Sequence, residues 1–393
     1  MRKLVLLNAQ SPGDIVMLTA AVRDLHRAHP GEFLVDVRTS CPDLWLNNPN
    51  LTALADDDPG VEVVECRYPL IHQSNRTPVH FLHAFPAFLN ERLGSNIRVT
   101  DFKGDIHLSD LEKHWFEAAE ALEGPVPRFW LIVSGGKFDY TIKWWDPVRY
   151  QDVVDAFRGR IAFAQVGEDA HHHPALDGVV DLRGQTTLRQ LVRLMYHAEG
   201  VITPVSLLMH LAAAVETPPG RPRSRPCVVI AGGREPPHFT AYPHHQYIHR
   251  VGALPCSDQG GCWRSRTVAL GDGDEKDTPD QLCVNVVPGP LPRCMDMITA
   301  REVIERVELY FEGGLLDGAA RTAPPIAELA ARLRLEIHGD LDDGLFQRAA
   351  PGERGMGVVG KENGERAARN GEPGCDRNVE EADVLALVEA PRR

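Results

Sequence analysis

Short apolar runs rich in β-branched residues alternate with segments of helical periodicity along most of this chain. That alternation constrains the fold more than any other feature, because it is the pattern of a parallel sheet with helices on its faces. Lys3–Ala9 is an apolar run that ends at the turn Ser11-Pro12-Gly13. Ile15, Leu18, Val22 and Leu25 then follow at helical spacing, up to Ala28 before Pro30. Phe33–Val37, Val61–Val64 and Asp105–Leu108 read as further strands, and Val79–Leu93 as a helix. Ser109, followed three residues later by Glu112, has the spacing of a capping box and predicts a helix to Leu122.

The stretch Glu123-Gly-Pro-Val-Pro127 interrupts this rhythm, and a second alternation starts beyond it. Strands are predicted at Phe129–Val133, Ile161–Val166, Val179–Leu182, Gly200–Thr203 and Val228–Ala231. Helices are predicted at Pro147–Phe157, Thr187–Ala198 with Thr186 as cap, Leu207–Val215 and Thr299–Phe311. Two α/β halves, residues 1–125 and 126–252, would face each other across a cleft, where ligands usually bind. A single larger doubly wound sheet is the alternative. Residues 253–298 form a cysteine-rich segment and 299–317 a closing helix. Residues 318–393 read as a largely flexible tail, with one further helix at Ile326–Leu335.

The formal charge of −13 argues against the broad basic surface of a non-specific nucleic-acid binder. No apolar run reaches the length of a membrane span, and the start of the chain fits a first strand better than a signal peptide. A cytoplasmic setting is expected. There the eight cysteines are better explained as thiols or metal ligands than as disulfides.

Gly13-Asp14 lies where the first strand hands over to the first helix. A carboxylate there can serve as a general base in the cleft or simply cap the helix. Gly135-Gly136-Lys137 follows the first strand of the second half, with Lys143 six residues on. Glycine turns with nearby lysines suit a diphosphate whose charge must be neutralised, although the P-loop pattern is absent. Ser206 and His210 flank the start of a helix of small residues, a plausible anion-binding terminus, whereas a lone histidine on an apolar helix is more often packed. His171-His172-His173 reads as exposed polar loop. His244-His245 sits where it could line the cleft.

Cys256, Cys262, Cys283 and Cys294 fall within 39 residues in a segment with little core of its own. Four thiolates can close a tetrahedral site, so one structural iron or zinc ion and no catalytic metal is the expectation. Cys41, Cys66, Cys227 and Cys375 read as small core or surface residues.

Four blocks in this order resemble the ADP-heptose glycosyltransferases of glycosyltransferase family 9. They are Gly13-Asp14-Ile-Val-Met-Leu-Thr-Ala-Ala-Val, Lys143-Trp-Trp, Leu182-Arg-Gly-Gln-Thr-Thr-Leu-Arg-Gln-Leu and Met209-His210-Leu-Ala-Ala-Ala. The resemblance implies a GT-B fold and inverting transfer of a heptose or related sugar from a nucleotide diphosphate to a hydroxyl. Asp14 matches the family's base and Lys143 its phosphate-neutralising lysine, making these two the catalytic candidates. Gly13, Lys137, Ser206, Met209 and His210 are the nucleotide-sugar candidates. Val205-Ser206-Leu207 stands where the family usually has Asp-(Ser/Thr)-Gly, which motivates a non-catalytic nucleotide-sugar sensor or assembly subunit as the alternative. An epimerase fits less well, because no GxGxxG follows either first strand. The four-cysteine segment is similar to the metal finger of autotransporter heptosyltransferases, which favours iron. The expected partners are a nucleotide-sugar donor and an acceptor that is a glycan, protein or small molecule, with a homo-oligomer left open.

Overall fold

The computed structural model describes residues 1–55, 57–68, 70, 73–115, 128–317 and 322–338. Strand β1 (Arg2–Asn8) lies between β2 (Phe33–Thr39) and β3 (Val61–Glu65), parallel to both, with Leu4 opposite Val35 and Glu62. Its position explains its near-continuous apolar sequence, because a central parallel strand is covered on both faces. Helix α1 (Pro12–Ala28) starts with proline at the first helical position, where the missing N–H costs no hydrogen bond, and buries Ile15 to Leu25. Helix α2 (Ala84–Leu93) ends on Gly94 in the left-handed region at φ 67°. It is preceded by a single 3₁₀ turn, Phe81–His83, so the helix predicted from Val79 begins five residues later.

The second half is one six-stranded parallel sheet in the order β6-β5-β4-β7-β8-β9. Its strands are β4 (Trp130–Ile132), β5 (Phe163–Gln165), β6 (Val180–Asp181), β7 (Gly200–Pro204), β8 (Cys227–Gly232) and β9 (His245–His249). Between them run α3 (Pro147–Ala156), α4 (Leu188–His197) and α5 (Leu207–Ala214). The order turns outward in both directions from β4 and β7, so the crevice at their carboxyl ends is the topological switch point. The first sheet has its own switch point beside β1. Two separate sheets, not one, are therefore built.

Several expectations are corrected. Asp105–Leu108 forms no strand among the described residues; the Asp105 N–H donates instead to the Thr19 hydroxyl of α1 at 2.8 Å, tying the segment to that helix. Thr187, not Thr186, caps α4 and completes a capping box with Gln190. Strand β9 was not foreseen. Its sequence carries two histidines and follows His244, whose φ of 67° places a non-glycine residue in the left-handed region. Ser109 does form the predicted capping box with Glu112, over a one-turn helix. The rest of that helix to Leu122, the boundary at 125, Cys375 and the tail beyond 338 lie outside the described residues.

Helix α6 (Ala300–Glu312) closes the sheet, its Tyr310 hydroxyl accepting from the Cys227 and Gln246 N–H groups at 3.1 Å each. Helix α7 (Ile326–His338) covers the predicted Ile326–Leu335. Across the halves, Arg189 of α4 grips both oxygens of Glu112 at 2.6 and 2.7 Å and donates to the Asp43 and His107 carbonyls. Among the described residues, no helix is long and apolar enough to cross a membrane.

Candidate active site

Ser11 is the N-cap of α1, and Pro12 and Gly13 take the first two helical positions, so Asp14 projects from the first turn. It is not the cap. Burial pushes its carboxyl up to about 6 and Glu235 adds to the rise, while the Tyr68 hydroxyl, Lys143 and the Ser11 backbone oppose it. The Tyr68 hydroxyl lies beside the carboxylate without closing to a formed hydrogen bond. Its ring is held by stacking on Phe81 and Phe85, with centroids 4.9 and 4.5 Å apart.

Lys143 ends the 3₁₀ turn Phe138–Lys143, which follows β4. Its Nζ is 2.8 Å from Glu235 Oε1 and donates to the Val205 carbonyl at 3.3 Å, next to the start of α5. Burial lowers the lysine pKa; Glu235 and Asp14 counteract it. Burial would raise Glu235, but Lys143 and Arg234 hold its carboxyl down to about 2. Arg234 pairs with the same Oε1, and its guanidinium lies 5.1 Å from the Tyr140 ring and 5.4 Å from that of Trp263. Asp14 from the first half and Lys143, Glu235 and Arg234 from the second thus form one electrostatic group beyond the carboxyl ends of β1, β4 and β8.

Ser206 caps α5: its hydroxyl accepts from the Leu208 N–H at 3.2 Å and lies 2.7 Å from the Thr203 hydroxyl. One turn on, His210 packs against α1 so closely that a Cβ on Gly13 would stand 3.0 Å from its Cδ2. Burial lowers the His210 pKa to about 3, so the ring is neutral, and its Nδ1 lies 2.8 Å from the Tyr242 hydroxyl. That hydroxyl also reaches Met17 Sδ at 3.6 Å, tying the two halves together at this point. Met209 is fully buried, its side chain part of the core. Lys137 opens the Phe138–Lys143 turn, half-buried, with Cys41 and His171 as electrostatic neighbours.

Gly135 has φ 94°, and a Cβ there would meet the His172 carbonyl oxygen at 2.1 Å. The Gly136 N–H donates to that oxygen at 2.8 Å. The histidine run is therefore not exposed loop throughout, as its sequence suggested. His172 is buried with its ring 4.3 Å from that of Trp144, and His173 Nδ1 lies 3.0 Å from the Ser134 carbonyl. His245 is half-buried, and desolvation lowers its pKa to about 3.

The thiols of Cys256, Cys262, Cys283 and Cys294 are close enough to act on one another electrostatically. The Cys262 N–H donates to the Gly233 carbonyl at 3.0 Å, and Cys294 Sγ packs where a Cβ on Gly233 would stand 3.5 Å away. Among the described residues, however, no three His, Cys, Asp or Glu side chains gather closely enough to hold a metal ion. Cys41, Cys66 and Cys227, read as small core or surface residues, are all buried.

Residues 103–219 match the family model for glycosyltransferase family 9 (heptosyltransferase). Over these residues the sequence is similar to the family 9 glycosyltransferases. The glycosyltransferase family 9 structure from Veillonella parvula is 14% identical with a TM-score of 0.50, covering 80% of this chain and 98% of that one. The iron-containing dodecameric glycosyltransferase TibC from enterotoxigenic E. coli is 16% identical with a TM-score of 0.51, covering 79% and 78%. TibC in complex with ADP-D-β-D-heptose gives 17%, 0.50, 80% and 77%. No curated protein matches the sequence. These likenesses establish the two-sheet GT-B architecture that the resemblance implied.

The family 9 match includes Lys143, Ser206 and His210 but stops short of Asp14, Glu235 and the cysteines. Glu235 and Arg234 went unnoticed in the sequence. They nevertheless follow the Gly232-Gly233 turn at the carboxyl end of β8, the kind of position that singled out Asp14 and Gly135.

Proposed function

We propose that this glycosyltransferase moves a heptose or related sugar from a nucleotide diphosphate, ADP-heptose foremost, to an acceptor hydroxyl with inversion. The supporting observation is the electrostatic contact of Asp14, from the first half, with Lys143 and Glu235 from the second. Asp14 takes the acceptor proton as the hydroxyl attacks the anomeric carbon. Lys143, beside the Ser206-capped start of α5, meets the charge that develops on the departing diphosphate. Glu235 holds Lys143 in place until the diphosphate arrives. His210, being neutral, contributes position or a hydrogen bond, not positive charge. TibC was captured with ADP-heptose, which supports this donor.

A base with a carboxyl near 6 must be ionised to work, so kcat/KM should rise with pH through an inflection close to 6 and then level. A pH–rate profile on donor and acceptor checks this; a flat profile between pH 5 and 7 contradicts the assignment. If the donor binds but is neither transferred nor hydrolysed, the sensor function suggested by Val205-Ser206-Leu207 takes over.

The mutual electrostatic influence of the four cysteines supports one structural metal ion, iron by likeness to TibC or else zinc, whose binding would have to draw the sulfurs together from their present positions. Such an ion staples a segment poor in core and takes no part in transfer. Elemental analysis of the purified protein should find about one equivalent per chain, and Cys294→Ser should lower the melting temperature. Metal-free protein of unchanged stability would rule the ion out.

A further inference from the structure

Between Cys262 and Cys294, a cluster of polar contacts reaches the turn Phe138–Lys143. Arg266 is fully buried, and its guanidinium lies among three carboxylates. One of them, Asp139 at 2.8 Å, belongs to the turn; Asp272 at 2.8 Å and Asp277 at 2.5 Å belong to the segment. The segment's own carboxylates are fixed beforehand. Asp277 accepts the Leu270 and Gly271 N–H groups at 2.9 and 2.7 Å, and Asp272 accepts that of Asp274 at 3.0 Å. The acidic loop is thus filled by a guanidinium from its own chain.

Next to Arg266, both the N–H and the hydroxyl of Thr267 donate to the buried Thr141 hydroxyl, at 2.8 and 3.0 Å. The Ser265 carbonyl accepts the Ile142 N–H at 3.2 Å. Below them, Trp144 and Leu291 form a small separate apolar cluster with Phe138, Leu270 and Val287. Consecutive residues 265, 266 and 267 therefore hold residues 142, 139 and 141, the turn whose last residue is Lys143.

We infer that Arg266, with Thr267 and Thr141, is a positioning device that sets the place of the Lys143 ammonium, so that the cysteine-bearing segment acts on catalysis through this turn. The inference rests on the role given to Lys143 above. Four hydrogen bonds join residues 265–267 to the turn, and a charged group displaced by about 1 Å can lose about 100-fold in rate. Lysine is a poor substitute here, since its three N–H donors at one point cannot make the four hydrogen bonds, two of them to Asp272 from separate nitrogens, that the guanidinium makes.

The test measures kcat, donor KM and melting temperature for Arg266→Lys and Thr141→Val, each alone and combined with Lys143→Ala. The milder Thr141→Val keeps the test open if Arg266→Lys does not fold. Folded single variants should lose about 10- to 100-fold in kcat with donor KM changed by less than about threefold. In the Lys143→Ala background the same substitutions should cost nothing more, because the group they position is gone. Wild-type kcat in both folded single variants, or losses that add to that of Lys143→Ala, would overturn the positioning role. Full turnover in Lys143→Ala alone would instead remove the leaving-group role of the lysine, and the positioning role with it.

Discussion

Asp14→Asn should lose turnover by about 100- to 10,000-fold, the usual range for a general base, while the protein becomes more stable at pH 8. Both effects have one source. The Asp14 carboxyl, ordinarily near 3.8, is pushed by burial to about 6, so the folded state disfavours the ionised form that catalysis needs. The folded pKa lies above the unfolded one. Stability tied to this group is therefore present in acid and is lost as pH rises through 6. At pH 8 the whole penalty applies, at most about 3 kcal/mol for a shift of roughly two units. Asparagine never ionises, so the variant should melt higher than the parent at pH 8, with the gap narrowing by about half at pH 5. Donor affinity, measured by thermal shift with ADP-sugars, should stay close to the parent's. Retained turnover would end the assignment of Asp14 as base. A variant less stable than the parent at pH 8 would show that the carboxylate is welcomed by Lys143 more than it is resisted by burial.

This conflict explains which parts of the site were legible in the sequence. Asp14, Lys143 and Ser206 each follow a strand that reads clearly as apolar and β-branched, so their positions at carboxyl ends could be inferred without coordinates. Their convergence could not, because it depends on the order of strands, and the alternation of elements is the same for any order. Glu235 was missed since a single glutamate after a glycine pair resembles any solvated surface residue. Only its ion pair with Lys143 at 2.8 Å gives it a role. The histidine run shows the opposite failure. Three adjacent histidines suggest an exposed loop, yet Gly135 has no side chain, and the His172 backbone approaches it within a space that any Cβ would fill. The cysteines were legible as a group but not in their spatial relation, because spacing fixes neither the path of the chain between them nor what that chain grips.

Arg225 carries the largest effect expected on stability, and it owes nothing to function. It is buried, and its guanidinium faces no carboxylate among its hydrogen-bond partners; instead it donates to five backbone carbonyls. Tyr196 and Ala198 lie at the end of α4, and Ala212, Val215 and Glu216 at the end of α5. These are the orphan acceptors that every helix leaves at its C-terminus, and both helix dipoles point their negative ends at the same cation. One side chain thereby finishes two helices and seats them beside β8, which it precedes. Arg225→Met preserves most of the volume and removes all five donors. Hydrogen bonds from charged donors contribute about 1.5–3 kcal/mol each, and water can recover some of the acceptors nearest the surface. A net loss of about 4 kcal/mol or more is expected, seen as a fall in melting temperature of about 10 °C. Arg225→Lys, which keeps the charge but cannot reach five acceptors at once, should fall between the two. At temperatures where the Met variant is folded its kcat should stay near the parent's, because Ser206 and Lys143 anchor the opposite end of α5. A fall of less than about 2 °C in Arg225→Met would mean that the two helix ends are held by the sheet alone, with the guanidinium merely filling space between them.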